Sequence, residues 1–222
     1  RRLRPDCMGT IYWQLNDNWP VCSWASLNYQ GSWKLLNYMA KRFYADTIVN
    51  AIQDDEKKQV EIFMTNDSLK AKKAAVSIQV RDMSGKVTFE DDITASIPAN
   101  SAKSLRKYDT AKLTSKPDSH FMTLTMELDG TVFRNEHFFC VWKKYDLPKS
   151  EIKIKTRAVK EGFEVKMEAD RPAFYVGIFA EGVKGEFDDN CFTLIPGEAR
   201  TLLFVPRQEV TTEEFKKSLL VK

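Results

Sequence analysis

Apolar positions along the chain change period near residue 47. Between residues 47 and 146 the period is two. Val60, Ile62 and Met64 alternate with Glu61 and Phe63, and Ala74, Val76, Ile78 and Val80 alternate with Ala75, Ser77, Gln79 and Arg81. Met122, Leu124, Met126 and Leu128 continue the pattern, and Asp129-Gly130 supplies a tight turn into Val132-Phe133. Successive side chains on a strand point to opposite faces, so each run offers one apolar face. Short runs of this kind, divided by Asp-, Asn- and Gly-bearing turns, predict an antiparallel β-sandwich. Pro148, in the polar stretch Leu147-Pro148-Lys149-Ser150, marks a boundary. Residues 147–222 repeat the theme on a smaller scale. Ile152 and Ile154 belong to one strand, Phe163, Val165 and Met167 to the next, and residues 174–179 and 201–205 to more buried ones. Ile195-Pro196-Gly197-Glu198 reads as a turn, and residues 211–220 as a short terminal helix.

Residues 1–46 follow a different plan. Residues 8–15 read as a short buried strand, and Asn16-Asp17-Asn18-Trp19-Pro20 as a loop, because Asn and Asp favour turns and Pro20 ends regular pairing. A helix follows, with Ser32 as its N-cap and Leu36, Met39, Ala40 and Phe43 at helical spacing. Lys41 and Arg42 fall in its last turn, where the macrodipole favours positive charge. One strand and one helix cannot bury the strand on both faces, so this βα unit belongs to something larger.

Composition narrows the function classes. Hydrophobic content of 43% with 29% charged residues suits a globular protein with a real core. Lys+Arg 34 against Asp+Glu 31 leaves a net charge of +3, interspersed along the chain, which gives no basic groove for nucleic acid. No run of about 18 apolar residues predicts a membrane helix, and no apolar segment follows Arg1-Arg2-Leu3-Arg4-Pro5 to make a signal peptide. The abrupt opening suggests a chain that starts within a domain. Cys7, Cys22, Cys140 and Cys191 form no C-x-x-C pair and are expected as buried free thiols; with only His120 and His137 beside them, no metal site is expected.

The run Gly9-Thr10-Ile11-Tyr12-Trp13-Gln14-Leu15-Asn16-Asp17-Asn18-Trp19-Pro20, with Ser23-Trp24-Ala25-Ser26-Leu27, Tyr29, Gly31, Trp33-Lys34 and residues 38–43, resembles the end of the catalytic barrel of β-mannosidases of glycoside hydrolase family 2. It is similar to the eighth strand, loop and helix of that (β/α)8 barrel. The resemblance identifies residues 47–146 and 147–222 with the immunoglobulin-like domains that follow the barrel. Residues 187–198 are similar to a hairpin near that family's C-terminus. The expected architecture is therefore mainly β: two immunoglobulin-like β-sandwiches preceded by a βα remnant of a (β/α)8 barrel at 1–46.

Such barrels carry their sites at the C-terminal ends of the strands. The resemblance thus places Trp13 as the floor of the sugar subsite, where an indole face suits the apolar face of a pyranose. Asn16 and Asp17 are expected to hydrogen-bond loop backbone or neighbouring site residues, and Trp19 to shape the pocket wall. Trp24 and Trp33 are expected as packing residues between helix and sandwich, and Trp142 as a strand residue among apolar neighbours. His120 and His137 take surface or satisfied core positions, and Lys70–Lys73 a solvated turn.

Retaining glycosidases need two carboxylates about 5–5.5 Å apart. In the resembled family both are glutamates on barrel strands preceding the one matched here, and nothing in this chain matches their motifs. The chain is expected to hold no catalytic residue, to be inactive alone, and to need no cofactor. The resemblance implies a parent enzyme that removes terminal non-reducing β-D-mannose from oligosaccharides by double displacement. Its β-mannoside substrates would be the partners, with no nucleic acid and no membrane. Exposed Tyr12, Trp13 and Leu15 leave a homodimer open. Localisation is undetermined: periplasmic or secreted if the parent carries a signal peptide, otherwise cytoplasmic or lysosomal. Three alternatives stand: a family 2 hydrolase of another β-glycoside (galactoside, glucuronide or glucosaminide), a non-catalytic carbohydrate-binding module, and an immunoglobulin-like interaction module.

Overall fold

The computed structural model describes residues 1–4, 6, 7 and 9–222. They divide into two compact units, one of residues 1–11 and 43–147, the other of residues 12–42 and 148–222. Residues 1–46 are thus shared between the two.

The helix of the first region, α1, spans Leu35–Phe43 and ends on Lys41 and Arg42, as its charge pattern predicts. Ser32 lies three residues before its start and is not its cap. It closes a turn instead, its backbone N–H donating to Asn28 Oδ1 at 2.9 Å. Tyr38 and Ala40 are the buried residues, while Leu36 and Phe43 are partly exposed. No strand forms at residues 9–15, and Met8 lies outside the described residues. A barrel strand needs parallel neighbours on both sides, whereas every ladder between strands described below is antiparallel. Among the described residues the strand-type pairing in this segment is two isolated bridges, Asn16 to Leu27 and Leu27 to Trp33.

The first unit is a sandwich of two sheets. Strands β1 (Thr47–Asp54), β2 (Gln59–Asn66), β3 (Lys72–Asp82), β4 (Val87–Ile97), β5 (Ser101–Asp109), β6 (His120–Leu128) and β7 (Thr131–Phe138) pair in the orders β1-β2-β5 and β4-β3-β6-β7. A short helix, α2 (Thr110–Leu113), follows β5. The period-two residues fill the space between the sheets: Val60, Ile62, Met64, Ala74, Val76, Ile78, Val80, Met122, Leu124 and Met126 are all buried in one cluster. Asp129 and Gly130 adopt φ of 51° and 76°, the left-handed pair that a two-residue hairpin requires. Trp142 does not sit in a strand; it opens a 3₁₀ turn, Trp142–Lys144, and packs edge-on to Phe138 at 4.7 Å.

The second unit is the smaller sandwich. Its strands are β8 (Ile152–Val159), β9 (Gly162–Ala169), β10 (Ala173–Val176), β11 (Ile178–Ala180), β12 (Gly185–Phe187), β13 (Phe192–Leu194), β14 (Arg200–Pro206) and β15 (Leu219–Val221), with helix α3 (Thr212–Ser218) before the last. One sheet runs β12-β14-β9-β8, and it is opposed by the pairs β10-β13 and β11-β15. Phe163, Val165, Met167, Val176, Ile178, Leu202, Phe204 and Phe215 form the core. Pro196 and Gly197, the latter at φ 81°, make the expected turn, closed by Glu198 N–H donating to Ile195 O at 3.0 Å. Residues 187–198 are not a hairpin. β12 pairs with β14 whereas β13 pairs with β10, so the segment crosses between sheets. Asn190 steadies this segment: its side-chain oxygen accepts from Ile178 N–H at 2.9 Å and its amide donates to Ile178 O at 2.7 Å, satisfying the backbone groups that the pairing of Ile178 with Val221 leaves free.

Candidate functional site

The aromatic segment before α1 lacks regular structure, so its shape is set by specific polar contacts. Ser26, fully buried, is the centre. Its backbone N–H donates to the carbonyls of Gln14 and Leu15 at 3.1 Å each, and its hydroxyl donates to Leu15 O at 3.0 Å. Tyr12 and Ser26 hydroxyls share a 2.8 Å hydrogen bond. Leu27 N–H donates to Leu15 O at 2.9 Å, and Asp17 N–H to Leu27 O at 3.1 Å. Two stretches of chain, 14–17 and 25–28, are thereby clamped side by side.

Asp17 is the buried charge of this clamp. Its carboxylate accepts from the Ser23 hydroxyl and forms a 2.8 Å ion pair with Lys34. The Lys34 hydrogen bond, then that of Ser23, hold its pKa below the usual carboxylate range against the opposing effect of burial. A carboxylate so paired stays ionised and cannot donate a proton near neutral pH. Asn16 turns its amide to Asp17 O at 3.2 Å.

The tryptophans behave differently. Trp13 is 76% exposed and Trp19 63%, while Ile11 is 98% exposed. The peptide bond between Trp13 and Gln14 is cis. Trp24, expected as a packing residue, is 77% exposed, because the small neighbours Ala25 and Ser26 take the interior. Trp33 packs edge-on to Tyr38, centroids 5.0 Å apart. Thus Asn16 and Asp17 lie within the hydrogen-bonded loop, and Trp13 and Trp19 lie at its surface. Ser26 and Lys34 are the residues sequence reasoning missed. A serine and a lysine have no periodic signature, and their partners are several to many positions away.

A cleft of about 950 Å³ opens in the second unit between residues 28–38 and the β11–β12 region. Trp33, Lys34, Tyr38, Lys184, Glu186 and Arg207 are among the residues that line it. Tyr38 hydroxyl donates to Phe187 O at 3.2 Å. Burial, then the nearby charges of Glu186, Asp189 and Asp188, push its pKa up to about 12, so it remains a neutral donor. Glu186 is engaged by Arg207 at 2.6 Å. Trp13, Asn16, Asp17 and Trp19 do not line this cleft.

Among the described residues no group of three or more His, Cys, Asp or Glu is arranged to hold a metal ion. Among the described residues no helix is long and apolar enough to cross a membrane. The four cysteines are free thiols, but only Cys191 is buried; Cys22 is exposed and Cys7 and Cys140 are half-buried. His137 has a satisfied interior position, its Nε2 lying 3.1 Å from Gln53 Oε1, and His120 Nδ1 lies 3.0 Å from Lys116 O.

Residues 58–144 match the family described as the mannosidase Ig/CBM-like domain. Residues 147–222 match the Ig-fold domain family of mannosidases. Over 97% of its length the chain is 26% identical to β-mannosidase A of Aspergillus terreus, and over 96% it is 27% identical to that of Aspergillus clavatus. It spans about a quarter of the length of these curated relatives, 25% of each. Among solved structures, the β-D-mannosidase of Dictyoglomus thermophilum superposes with a TM-score of 0.80 at 23% identity, over 95% of this chain and 25% of that one. An exo-chitosanase of Amycolatopsis orientalis superposes with a TM-score of 0.67 at 16% identity, over 95% of this chain and 29% of that one. Both likenesses speak for the fold.

Proposed function

We propose that this chain, whose two sandwiches belong to the Ig-like domain families of mannosidases, is part of a glycoside hydrolase that removes terminal β-D-mannose from oligosaccharides with retention. The observation that carries this reading is end-to-end similarity: 97% of the chain aligns with a curated β-mannosidase, so the aromatic segment and both sandwiches occur together in one relative. The chain supplies a wall of the sugar subsite and accessory domains, and the two carboxylates that a retaining mechanism needs come from elsewhere in a longer protein.

In this reading Trp13 is the platform for the sugar ring. An indole carries a large apolar face and loses little freedom on binding, which suits the C–H face of a pyranose. Its 76% exposure leaves the side chain available, and the Tyr12, Ser26 and Leu15 contacts fix the backbone on either side. Trp19 would border the same sugar, with Asn16 and Asp17 holding the loop. No cofactor takes part.

The test has two arms. The isolated chain, incubated with 4-nitrophenyl β-D-mannopyranoside, is expected to release no nitrophenol. The longer protein containing it is expected to release it, to prefer the mannoside over the galactoside, glucuronide and glucosaminide, and to lose activity on Trp13→Ala. Turnover by the isolated chain, abolished by one substitution within it, would overturn the proposal. Preference for another glycoside would move the substrate while keeping the enzyme class. The carbohydrate-binding alternative predicts instead that the isolated chain binds manno-oligosaccharide in a titration.

A further inference from the structure

Asp189 is a carboxylate shared among three donors. Its Oδ1 accepts from Arg42 Nη2 at 2.6 Å and from the Asn190 backbone N–H at 2.8 Å, and its Oδ2 accepts from Arg200. Arg42 lies in the last turn of α1; Arg200 opens β14, with its guanidinium 5.4 Å over the Phe192 ring. The same short loop makes three more bonds to the helix. Arg42 Nη2 donates to Asn190 O at 3.0 Å, Lys41 Nζ to Asp188 O at 3.3 Å, and Tyr38 hydroxyl to Phe187 O at 3.2 Å. The loop is itself stiff, because Asn190 is tied twice to Ile178. The Arg42 and Asp189 side chains are 28% and 19% exposed, shielded enough for a charge-assisted bond to outweigh an ordinary surface pair.

At the other end of α1, eight residues and about 12 Å from Arg42, Lys34 precedes the first helical residue. Its ammonium pairs with Asp17 at 2.8 Å, and its backbone N–H donates to Ser26 O at 2.8 Å. Ser26 in turn bonds Tyr12, Gln14 and Leu15, the residues flanking Trp13. An unbroken series of contacts therefore runs from β14 through Asp189, along a rigid helix, to the backbone beside Trp13.

We propose that Asp189 is a positioning residue for Trp13: it grips the last turn of α1 and so fixes, through Lys34 at the helix's other end, the loop that presents the tryptophan. The consequence for sugar binding rests on Trp13 being the sugar platform; the anchoring itself does not. Small displacements of a binding group weaken positioning steeply, so loss of the grip should appear in substrate binding more than in turnover.

Hydrogen exchange on the 222-residue chain tests the anchoring. Asp189→Asn keeps the shape and removes the charge. It is expected to speed exchange about tenfold at Asp17, Ser26, Leu27 and the last turn of α1, with β2 and β3 unchanged. Lys34→Met should reproduce the effect at Asp17, Ser26 and Leu27 and leave the last turn of α1 as it was. Faster exchange confined to residues 187–190, or none at Ser26 and Leu27 in either variant, overturns the proposal. In the longer protein, Asp189→Asn should raise KM for 4-nitrophenyl β-mannoside several-fold at nearly constant kcat, and Asp189→Glu should restore part of it. An unchanged KM in an active protein overturns the link to Trp13. A longer protein inactive on every β-glycoside refutes the proposed function instead, and the exchange result alone then decides the anchoring.

Discussion

Phe215 of α3 stacks on Phe163 of β9, ring centroids 4.3 Å apart and planes within 14°. It also meets Phe204 of β14 at 4.8 Å, so one helical residue packs onto two aromatics that are paired neighbours in the same sheet. It is wholly buried. Phe215→Ala removes a full ring and leaves a void that two stiff neighbours cannot close. The expected cost is about 3–5 kcal/mol, read from urea unfolding of the whole chain. A loss below about 1 kcal/mol would show that α3 is only an appendage.

The helix that carries Phe215 begins with a reciprocal cap. Thr211 N–H donates to Glu214 Oε2 at 2.8 Å while Glu214 N–H donates to the Thr211 hydroxyl at 3.3 Å. Thr211→Ala is expected to cost about 1 kcal/mol in the same unfolding measurement. The Thr211 backbone N–H, then its hydroxyl, hold the Glu214 pKa below its ordinary 4.5. The native state thus binds fewer protons here. Its contribution is present above pH 4.5 and is lost as pH falls through the depressed value. Glu214→Gln should remove that acid dependence.

His137 gives a second pH dependence, in a higher window. It lies in the first sandwich with its Nε2 3.1 Å from Gln53 Oε1 and its ring edge-on to Phe139 at 5.2 Å. Burial lowers its pKa to about 4 from 6.5, against the opposing pull of Asp55. The unfolded chain therefore takes up a proton first. Stability is full above about pH 6.5 and declines as pH falls toward 4, by up to about 3 kcal/mol in total. His137→Gln should flatten the stability curve between those limits; an unchanged slope would show that other groups carry it.

Gly162 starts β9 at φ 150°, where a Cβ would run into Phe204 O and lie 2.7 Å from Pro206 Cδ. The obstacle is mostly backbone of the neighbouring strand β14, which cannot step aside without breaking the pairing of Phe204 with Phe163. Gly162→Ala is expected to destabilise by about 2–4 kcal/mol, measured by thermal or urea unfolding. A near-neutral result would mean that β14 shifts freely there.

Much of the fold was legible in local pattern. The strands through Val60–Met64, Ala74–Val80 and Met122–Leu128 could be read because alternation and burial are the same physical fact: an apolar residue at every second position has one face to hide. Asp129-Gly130 and Pro196-Gly197 were legible because their backbone conformations suit few other residues. The candidate site was legible only as a motif. Its residue types marked residues 9–43, yet no strand formed over residues 9–15 and the expected packing of Trp24 proved to be exposure.

The chain's own order of residues therefore determined the strands through Val60–Met64, Ala74–Val80 and Met122–Leu128, the turns at Asp129-Gly130 and Pro196-Gly197, and which face those strands bury, since these follow from neighbours a few positions apart. Tertiary structure alone decided that Asp17 pairs with Lys34, that Asn190 satisfies the Ile178 backbone, and that Asp189 joins Arg42 to Arg200. A charged or amide side chain has no period and no preferred partner until folding brings a distant donor or acceptor within about 3 Å of it.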